Sequence, residues 1–352
     1  MRAPPLPPLP AATTGFSDLQ QELMGEIHGR LSFLDRLAFA TASSAATRDA
    51  FKPEPPWLVI PGDTPGTATV FSLADRRSAA RHHRLLRGWI VTADKRGWMR
   101  LANPVTGEHG DLPAITTIPF INATSPGGHH FIMDMEPFVH IRYRGELESW
   151  MYPYDTVTHI AADDMWLSFY RKVVLSASPR PGDYAAMLLL DDYFGTPAFA
   201  TAEDGRWRVV PSVDGVEDAI HHEGKFLSVT YTGIVEAWER DIVSGEFTSN
   251  VVFDEMTQRW EAAEDIGELA ILVGVNSSLC VSTAKHPEIN AGCVYYTDDD
   301  MWVASMRRDF WCSNRKPNVG AYSLKDGKAM NIPGLGEHLS WPPPAWFTPS
   351  FP

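Results

Sequence analysis

Three histidine doublets are the most obvious candidates for metal chemistry in this chain: His82-His83, His129-His130 and His221-His222. Imidazole nitrogens bind zinc and other transition metals in many proteins. Adjacent residues on a strand point to opposite faces of the sheet, however, so one doublet cannot give two ligands to one ion. The three doublets could converge, but no carboxylate or cysteine spacing accompanies them. We therefore expect no metal site.

Three acidic runs could supply the paired carboxylates of general acid–base catalysis: Asp163-Asp164, Asp191-Asp192 and Asp298-Asp299-Asp300. Each run lies in a turn-like context, where aspartate accepts hydrogen bonds from backbone N–H groups. We interpret all three as solvated turns. Residues 201–207 come close to the Ser-x-Asp-x-Gly-x-Thr-Trp turn of propeller sialidases, but Asp204 is displaced by one position, so we do not count this segment as such a turn.

Other catalytic signatures are missing from the sequence. It contains no Gly-x-Ser-x-Gly and no Gly-x-x-x-x-Gly-Lys-Ser/Thr, the patterns of a hydrolase nucleophile and of a phosphate-binding loop. Its three cysteines, Cys280, Cys293 and Cys312, form no Cys-x-x-Cys pair. Neither a zinc site nor a disulfide framework is indicated, and a reducing compartment fits. We expect no catalytic residues, no cofactor-binding residues and no metal ligands.

The charge of the chain excludes some classes of partner. A net charge of −14 would repel phosphates, which argues against nucleic-acid binding and weakens the case for anionic membranes. One basic cluster, at 76–87, could contact an acidic protein surface or form a solvated loop. No run approaches the ~18 apolar residues of a membrane span, and the proline-rich residues 1–10 lack the apolar core of a signal peptide. We expect a cytoplasmic or nuclear protein.

An apolar stripe near the N-terminus predicts a helical module. Leu19, Leu23, Ile27 and Leu31 recur every four residues, which places them on one helix face. Phe33, Leu34, Leu37 and Phe39 continue the apolar pattern. About thirty-five residues bury little surface alone, so the module must pack against a partner or against the rest of the chain. The stripe is therefore a candidate docking surface.

Capping residues and prolines set the limits of this module. Ser17 with Gln20 can begin the first helix, and Ser32 with Asp35 repeats that pattern for a second one. Prolines at 53, 55 and 56 prevent the helix from continuing. We predict a disordered proline-rich leader over residues 1–15, a helical module over 16–52 and a second domain over 55–352.

The pattern after residue 55 predicts a mainly β fold. Short strand candidates alternate with tight turns and polar loops, some of the turns carry Asp-Gly, and no amphipathic helices separate the strands. The strand candidates are 57–60, 68–73, 88–93, 98–101, 197–201, 207–210, 225–231, 234–238, 269–273, 278–281 and 319–324. Such spacing is typical of a sandwich, a barrel or a propeller. At ~40–50 residues per four-stranded blade, a propeller would have six or seven blades.

The C-terminal residues 341–349 are apolar but too rich in proline to form a helix. Three aromatic residues in such a segment need burial. We predict that the segment lies extended against the first blade and closes the ring.

The N-terminal module resembles the plant F-box. That motif reads roughly Leu-Pro-x-Glu-Leu-x-x-x-Ile-x-x-Arg-Leu, then Asp-x-x-x-Phe, then Val-Cys-x-x-Trp-Arg. The matching residues are Leu19, Glu22, Leu23, Ile27, Arg30, Leu31, Asp35 and Phe39. Three positions depart from it: Gln20 replaces the proline, Ser43 the cysteine and Ala46 the tryptophan.

The rest of the chain resembles the KIB-type β-propeller of plant F-box proteins. The segments that carry the resemblance are Pro-Trp-Leu at 56–58, Phe-Ser-Leu at 71–73, Gly-Trp-Ile-Val-Thr at 88–92, Leu-Ala-Asn-Pro-Val-Thr-Gly at 101–107, Leu-Pro at 112–113 and Trp-Pro-Pro-Pro-Ala-Trp-Phe at 341–347. The two resemblances together span nearly the whole chain after residue 15.

The resemblance implies a non-catalytic substrate receptor of an SCF-type (cullin-RING) ubiquitin ligase. The F-box would dock on a Skp-family adaptor, and through it on a cullin, while the propeller would hold an unknown target protein. The implied adaptor-binding residues are Leu19, Leu23, Ile27, Leu31, Leu34, Leu37 and Phe39. The resemblance implies no cofactor, no nucleic acid and no membrane.

Three other interpretations remain open from the sequence. The F-box could be degenerate, so that the propeller binds a partner without recruiting a ligase. An enzyme could use the propeller channel, which would require convergent carboxylates or histidines there. The apolar stripe could also be a helical cap packed on the propeller, in which case Leu23, Ile27 and Leu31 would be buried.

Overall fold

The chain divides into two compact units. One comprises Met1–Glu54 with Ser350–Pro352, and the other comprises Pro55–Pro349. A computed structural model describes residues 21–43, 51, 54–61, 67–82, 90–93, 98–102, 109–124, 130–134, 157–161, 170–176, 181–190, 195–253, 261, 265–276, 278–298, 318–336 and 343–348. The leader predicted over residues 1–15 lies outside these ranges.

Two short helices form the described part of the first unit: α1 (Gln21–Arg30) and α2 (Phe33–Ala42). Ser32 caps α2, since its Oγ accepts a hydrogen bond from the backbone N–H of Asp35 and donates one to Asp35 Oδ2 at 2.5 Å. The predicted N-cap of the second helix is thereby confirmed. The predicted start of the first helix near Ser17 lies outside the described residues. Within the described ranges, neither helix is long and apolar enough to cross a bilayer.

In its described residues the second unit consists of strands and a short 3-10 helix at Ile115–Thr117. The strands of its described residues are β1 Trp57–Pro61, β2 Thr67–Ser72, β3 Arg77–His82, β4 Ile90–Ala93, β5 Met99–Ala102, β6 His109–Asp111, β7 Ile121–Ala123, β8 His130–Asp134, β9 Val157–Ala161, β10 Tyr170–Leu175, β11 Ala185–Leu190, β12 Pro197–Thr201, β13 Arg208–Val209, β14 Val216–His222, β15 Lys225–Thr230, β16 Val235–Arg240, β17 Phe247–Phe253, β18 Leu269–Val273, β19 Leu279–Ser282, β20 Cys293–Tyr296, β21 Gly320–Ser323, β22 Lys328–Met330 and β23 Ala345–Phe347. The mainly β fold class predicted from the sequence is confirmed.

These strands form six small sheets in the part of the chain that the structure describes. In chain order the sheets are β23-β1-β2-β3, β4-β5-β6, β7-β8-β9, β10-β11-β12-β13, β14-β15-β16-β17 and β19-β18-β20-β21-β22. We call them the first to the sixth sheet. With the exception of the first and sixth, each sheet is a simple meander of consecutive strands, as expected for propeller blades.

Strand candidates that flank a tight turn in the sequence pair as hairpins. The pairs β4–β5, β12–β13, β15–β16 and β18–β19 are all antiparallel. The sixth sheet contains an addition that the turn signals do not show. There β18 also pairs in parallel with β20, because residues 274–292, which include β19, carry the chain back to the same end of the sheet.

The C-terminal strand β23 closes the first sheet. It pairs antiparallel with β1, with Phe347 opposite Trp57 and Ala345 opposite Val59. Trp346 is 1% exposed and its Nε1 donates to the carbonyl of Val273 at 2.9 Å. Since Val273 ends β18, this tryptophan also ties the first sheet to the sixth. The predicted closure by the tail is confirmed.

Hydrophobic cores lie between neighbouring sheets. One core joins the second, third and fourth sheets, another joins the fourth and fifth, and a third joins the sixth with the first. Two of the buried tryptophans have hydrogen-bonded ring nitrogens: Trp207 Nε1 donates to the Pro113 carbonyl at 2.7 Å, and Trp238 Nε1 donates to Ser228 Oγ at 2.8 Å. Sheet-to-sheet packing of this kind gives the second unit its rigidity.

One turn recurs in three different sheets. A hydroxyl residue is followed three positions later by aspartate at Ser72/Asp75, Thr201/Asp204 and Ser323/Asp326. In each turn the hydroxyl donates to the carboxylate, at 3.0, 2.8 and 2.9 Å respectively. The aspartates therefore stabilise turns at the ends of β2, β12 and β21, in three blades of a repeat whose other residues have diverged.

Candidate functional site

Among the described residues of the helical module, α1 carries an exposed large apolar side chain. Leu23 is 46% exposed, and Ile27 and Leu31 are half-buried. Residues four apart lie within about 40° of one another around a helix of 3.6 residues per turn, so Leu23 and Ile27 follow one side of α1, and Leu31 comes directly after the helix. We call these three predicted adaptor-binding residues the α1 stripe.

The structure describes the other predicted adaptor-binding residues only in part. Phe39 on α2 is half-buried and packs against the internal cluster of the module. Leu34 and Leu37 lie on α2, where their side chains are outside the described set, and Leu19 lies outside the described residues altogether. Binding of an adaptor by these residues stays a prediction.

The module has its own small core, which the sequence pattern does not reveal. Met24 and His28 on α1 are each 1% exposed and face Ala40 and Phe51. The His28 ring stacks on the ring of Phe51 at 4.4 Å with an interplanar angle of 3°. The core therefore uses the α1 face next to the stripe, and Leu23 stays outside it. A histidine within an apolar pattern was the signal that could have located this face.

An ion pair anchors the end of the module. Arg36 on α2 forms two hydrogen bonds with the Glu54 carboxylate, through its Nε and, at 3.1 Å, through its Nη2. Its Nη1 also donates to the carbonyl of Leu31 at 3.0 Å. The Glu54 side chain is 2% exposed, so this contact is shielded from water and fixes the chain after the helices against α2.

Acid is expected to destabilise the helical module. Burial, and secondarily the nearby Arg36 charge, lower the pKa of His28 from 6.5 to about 4. The unfolded module binds a proton near pH 6.5 and the folded module does so only near pH 4, so the contribution to stability is complete above pH 6.5 and is lost as the pH falls towards 4. The loss should be roughly 2–3 kcal/mol. Hydrogen exchange of α1 amides between pH 7 and pH 4 measures it.

The matched control for this prediction is His28→Phe, which keeps an aromatic ring on Phe51 and removes the titrating group. Its α1 protection should change less with pH than that of the unsubstituted chain. An equal pH response in both proteins would contradict the role assigned to His28.

A polar cavity of about 290 Å³ is the second candidate site. It lies within the second unit, where the first strands of the fourth and fifth sheets, β10 and β14, meet the sixth sheet. The residues that line it include Arg171, Lys172, Glu217, Asp218, Tyr296 and Thr297.

Two β-bulges explain why adjacent charged residues share this cavity. The register between β10 and β11 shifts at Arg171, and the register between β14 and β15 shifts at Glu217. An extra residue in a strand breaks the alternation of side chains between the two faces. As a result Arg171 lines the cavity together with its neighbour Lys172, and Glu217 does so together with Asp218.

The four charges pair across the two sheets. Arg171 donates to both oxygens of Glu217, at 2.6 and 3.2 Å, and Lys172 Nζ donates to Asp218 Oδ1 at 2.5 Å. Ser278 completes the group, since it accepts from Lys172 Nζ at 3.0 Å and donates to Asp218 Oδ2 at 2.6 Å. Burial lowers the pKa of Lys172, while the adjacent Asp218 opposes that shift. Both ion pairs join residues that are 46 positions apart in the chain. This spacing is about the length of one propeller blade.

The described residues of the histidine and aspartate runs are not among those that line this cavity. His221 is half-buried against the edge of Phe226 and His222 is exposed. Over the described residues, no group of three His, Cys, Asp or Glu side chains is arranged to hold a metal ion. His83 and His129 lie outside those residues, as do the runs at 163–164 and 191–192.

Asp298 corrects one prediction. The acidic runs were interpreted as solvated turns, but Asp298 is 2% exposed. Its Oδ2 accepts a hydrogen bond from the backbone N–H of Asn318 at 3.3 Å. The aspartate does cap a backbone group, as expected, but in the interior of the sixth sheet, because Asn318 leads directly into β21.

Two comparisons with known proteins give distant similarities. Over 105 residues the chain is 30% identical to the F-box protein At2g17036 of Arabidopsis thaliana, a match that covers 27% of this chain and 23% of that protein. The chain thus matches about a quarter of that relative's length. The crystal structure of TolB from Acinetobacter baumannii aligns with a TM-score of 0.26 at 12% identity, covering 89% of this chain and 72% of that one.

The family comparison covers most of the second unit. The family model described as KIB1-4 beta-propeller matches residues 62–251 and 246–323. That span includes β10 and β14 with their bulges and the strands of the sixth sheet that line the cavity. The fold class inferred from the sequence, a β-propeller preceded by short helices, agrees with this match. The chain therefore belongs to the KIB1-4 β-propeller family.

Proposed function

We propose that this protein is a target-recognition subunit of an SCF-type ubiquitin ligase. Residues 16–52 act as an F-box that docks on a Skp-family adaptor, and through that adaptor on a cullin. The propeller, residues 55–352, holds the target protein. The similarity to a protein named as an F-box protein supports this proposal.

The exposed Leu23 is the observation that carries the proposal. A short helical module has little apolar surface to spare, yet this large side chain is 46% exposed while the buried cluster of the module, with Met24 and Phe51, lies on another face. Apolar residues at i and i+4 on an exposed helix face are a usual recognition element for a groove on another protein.

We propose a binding role, without catalysis, for the propeller. Rigid sheets that carry variable loops suit the presentation of a binding surface. The two carboxylates that converge in the cavity, Glu217 and Asp218, are each engaged by a cation, an arrangement better suited to binding than to proton transfer. Ubiquitin would be transferred by the attached ligase components, so this chain would make and break no bond.

The proposal also includes a cytoplasmic or nuclear location. Among the described residues, Cys280 and Cys293 are free thiols, as is usual in a reducing compartment.

The second candidate is a propeller that binds a partner without recruiting a ligase. It is favoured by the departures from the F-box motif at Gln20, Ser43 and Ala46. Ser43 is the C-cap of α2, and its Oγ donates to the Phe39 carbonyl at 2.8 Å. A hydroxyl that caps the helix replaces a cysteine there, and Ala46, which replaces the tryptophan, lies outside the described residues.

Co-purification separates the two candidates. The full chain and a chain lacking residues 1–52 are each co-expressed with a plant Skp-family adaptor and passed over a size-exclusion column. The ligase-receptor function predicts a stable complex with the full chain and none with the truncated chain. A folded full chain that elutes without the adaptor would contradict it and favour the stand-alone binding module.

A further inference from the structure

We propose that the polar cavity between β10, β14 and the sixth sheet receives an arginine side chain from the bound target protein. This inference rests on the proposed function, because it names the chemistry by which the propeller would recognise its target. The cavity is part of the propeller and is assigned independently of the α1 stripe.

The two bulges bring four charged side chains to one cavity, which regular strand pairing would not do. Without a bulge, Arg171 and Lys172 would point to opposite faces of the fourth sheet, and Glu217 and Asp218 to opposite faces of the fifth. The register shifts at Arg171 and at Glu217 place all four at one cavity. Bulges of this kind are frequent next to binding and active sites, where they redirect side chains.

The charges in the cavity are arranged by depth. The Arg171 and Lys172 side chains are 19% and 5% exposed, whereas those of Glu217 and Asp218 are 46% and 35% exposed. In both ion pairs the carboxylate is therefore more accessible to solvent than the cation. A ligand that enters meets negative charge first, which favours a cation.

The carboxylates retain the capacity to bind that cation. Each oxygen of Glu217 accepts one hydrogen bond, both from Arg171, and a carboxylate oxygen has two lone pairs. Asp218 Oδ2 likewise accepts one, from Ser278. The planar guanidinium of an arginine can donate to such oxygens in parallel, which is the geometry that distinguishes arginine from lysine in carboxylate recognition.

Size and overall charge agree with a side chain as the occupant. About 290 Å³ lies at the low end of the range of ligand pockets, enough for the end of one long side chain. The ring of Tyr296 also lines the cavity, and aromatic rings are favourable neighbours for a guanidinium. The net charge of −14 would attract a basic segment over a longer range.

Binding of two matched peptides to the full chain tests this inference. The probes are acetylated, amidated pentapeptides with a central arginine or a central citrulline, the latter having nearly the same shape without the charge. The arginine peptide should bind saturably, in the millimolar range, and at least tenfold more tightly than the citrulline peptide. Glu217→Gln should weaken arginine binding at least tenfold. Isothermal titration or ligand-observed NMR measures both.

Glu239→Gln is the matched control, since Glu239 is 48% exposed and pairs with Lys225 on the fifth sheet outside the cavity lining. It should bind the arginine peptide as the unsubstituted chain does, and comparable thermal midpoints of the two variants would exclude unfolding as the cause. The inference is overturned if the arginine peptide does not bind, if citrulline binds equally, or if Glu217→Gln has no effect.

The peptide-binding assay contains no adaptor, so a negative result in it does not contradict adaptor binding. If the peptide does not bind while the full chain still co-purifies with the Skp-family adaptor, only the arginine inference is lost. If the adaptor does not bind while the peptide does, the ligase function is lost and the recognition pocket remains.

Discussion

Replacing Leu23 and Ile27 together by aspartate is expected to abolish binding of the Skp-family adaptor. The interface would lose two apolar side chains worth ~1.5–3 kcal/mol each on burial, and two carboxylates would be placed against an apolar groove without partners. Since ~1.4 kcal/mol is a factor of ten, the dissociation constant should rise by more than roughly a hundredfold. Isothermal titration of the adaptor into the full chain measures this change.

Gly29→Asp is the control for that variant. It introduces the same residue into the same helix, on the side away from the stripe, where a new Cβ would meet nothing within 4 Å. Its affinity for the adaptor should equal that of the unsubstituted chain. Adaptor binding that survives in the Leu23→Asp/Ile27→Asp protein would show that the α1 stripe is not the docking surface.

Replacing Trp346 by alanine is expected to destabilise the propeller strongly. The side chain is 1% exposed, lies in the strand that completes the first sheet, and donates to the Val273 carbonyl in the sixth. Loss of a buried tryptophan lowers the free energy of unfolding by about 3–5 kcal/mol. The Val273 carbonyl would also lose the hydrogen bond that it accepts from Trp346. Urea denaturation, followed by circular dichroism, should show a clearly lowered midpoint.

Trp98→Ala offers the matched comparison, because Trp98 is 51% exposed. Exposed substitutions usually change the free energy of unfolding by less than about 0.5 kcal/mol. Equal midpoints for Trp346→Ala and the unsubstituted chain would mean that β23 does not hold the first and sixth sheets together.

Local signals made some of the strands predictable, whereas others, such as β10, β11 and β14, were not among the candidates. Hairpins such as β4–β5 and β15–β16 are marked by turn residues between alternating apolar stretches, so their pairing follows from a few neighbouring positions. The closure by β23 was predictable for another reason: an apolar segment rich in proline cannot form a helix and must still be buried. The N-cap at Ser32 follows from its spacing to Asp35 alone.

Long-range features were not predictable in this way. The partners in the cavity, Arg171 with Glu217 and Lys172 with Asp218, are 46 residues apart, and a bulge leaves no pattern in the sequence of its strand. The parallel pairing of β18 with β20 depends on the path of the intervening chain. Asp298 was misjudged because its burial is set by packing of the sixth sheet and not by its acidic neighbours.

Helix α1 has one face that the sequence predicted and another that it did not. The period of four correctly marks an apolar side of α1, but Met24 and His28 on the adjoining side form the internal core. Their burial depends on Phe51, which follows the helices by several residues and stacks on His28. Because a histidine is not counted as an apolar residue, the face with Met24 and His28 does not stand out in the sequence. The apolar pattern therefore indicated the side of α1 that the structure leaves more exposed.

Hydrogen exchange of the full chain, alone and saturated with a plant Skp-family adaptor, tests the central claim most directly. The adaptor should slow exchange of the α1 amides, Gln21–Arg30, at least tenfold, while the amides of β1–β22 in the propeller stay unchanged. Protection that appears in the propeller strands with α1 unchanged, or no protection anywhere in a folded chain, would contradict the assignment of the helical module as the adaptor-docking element.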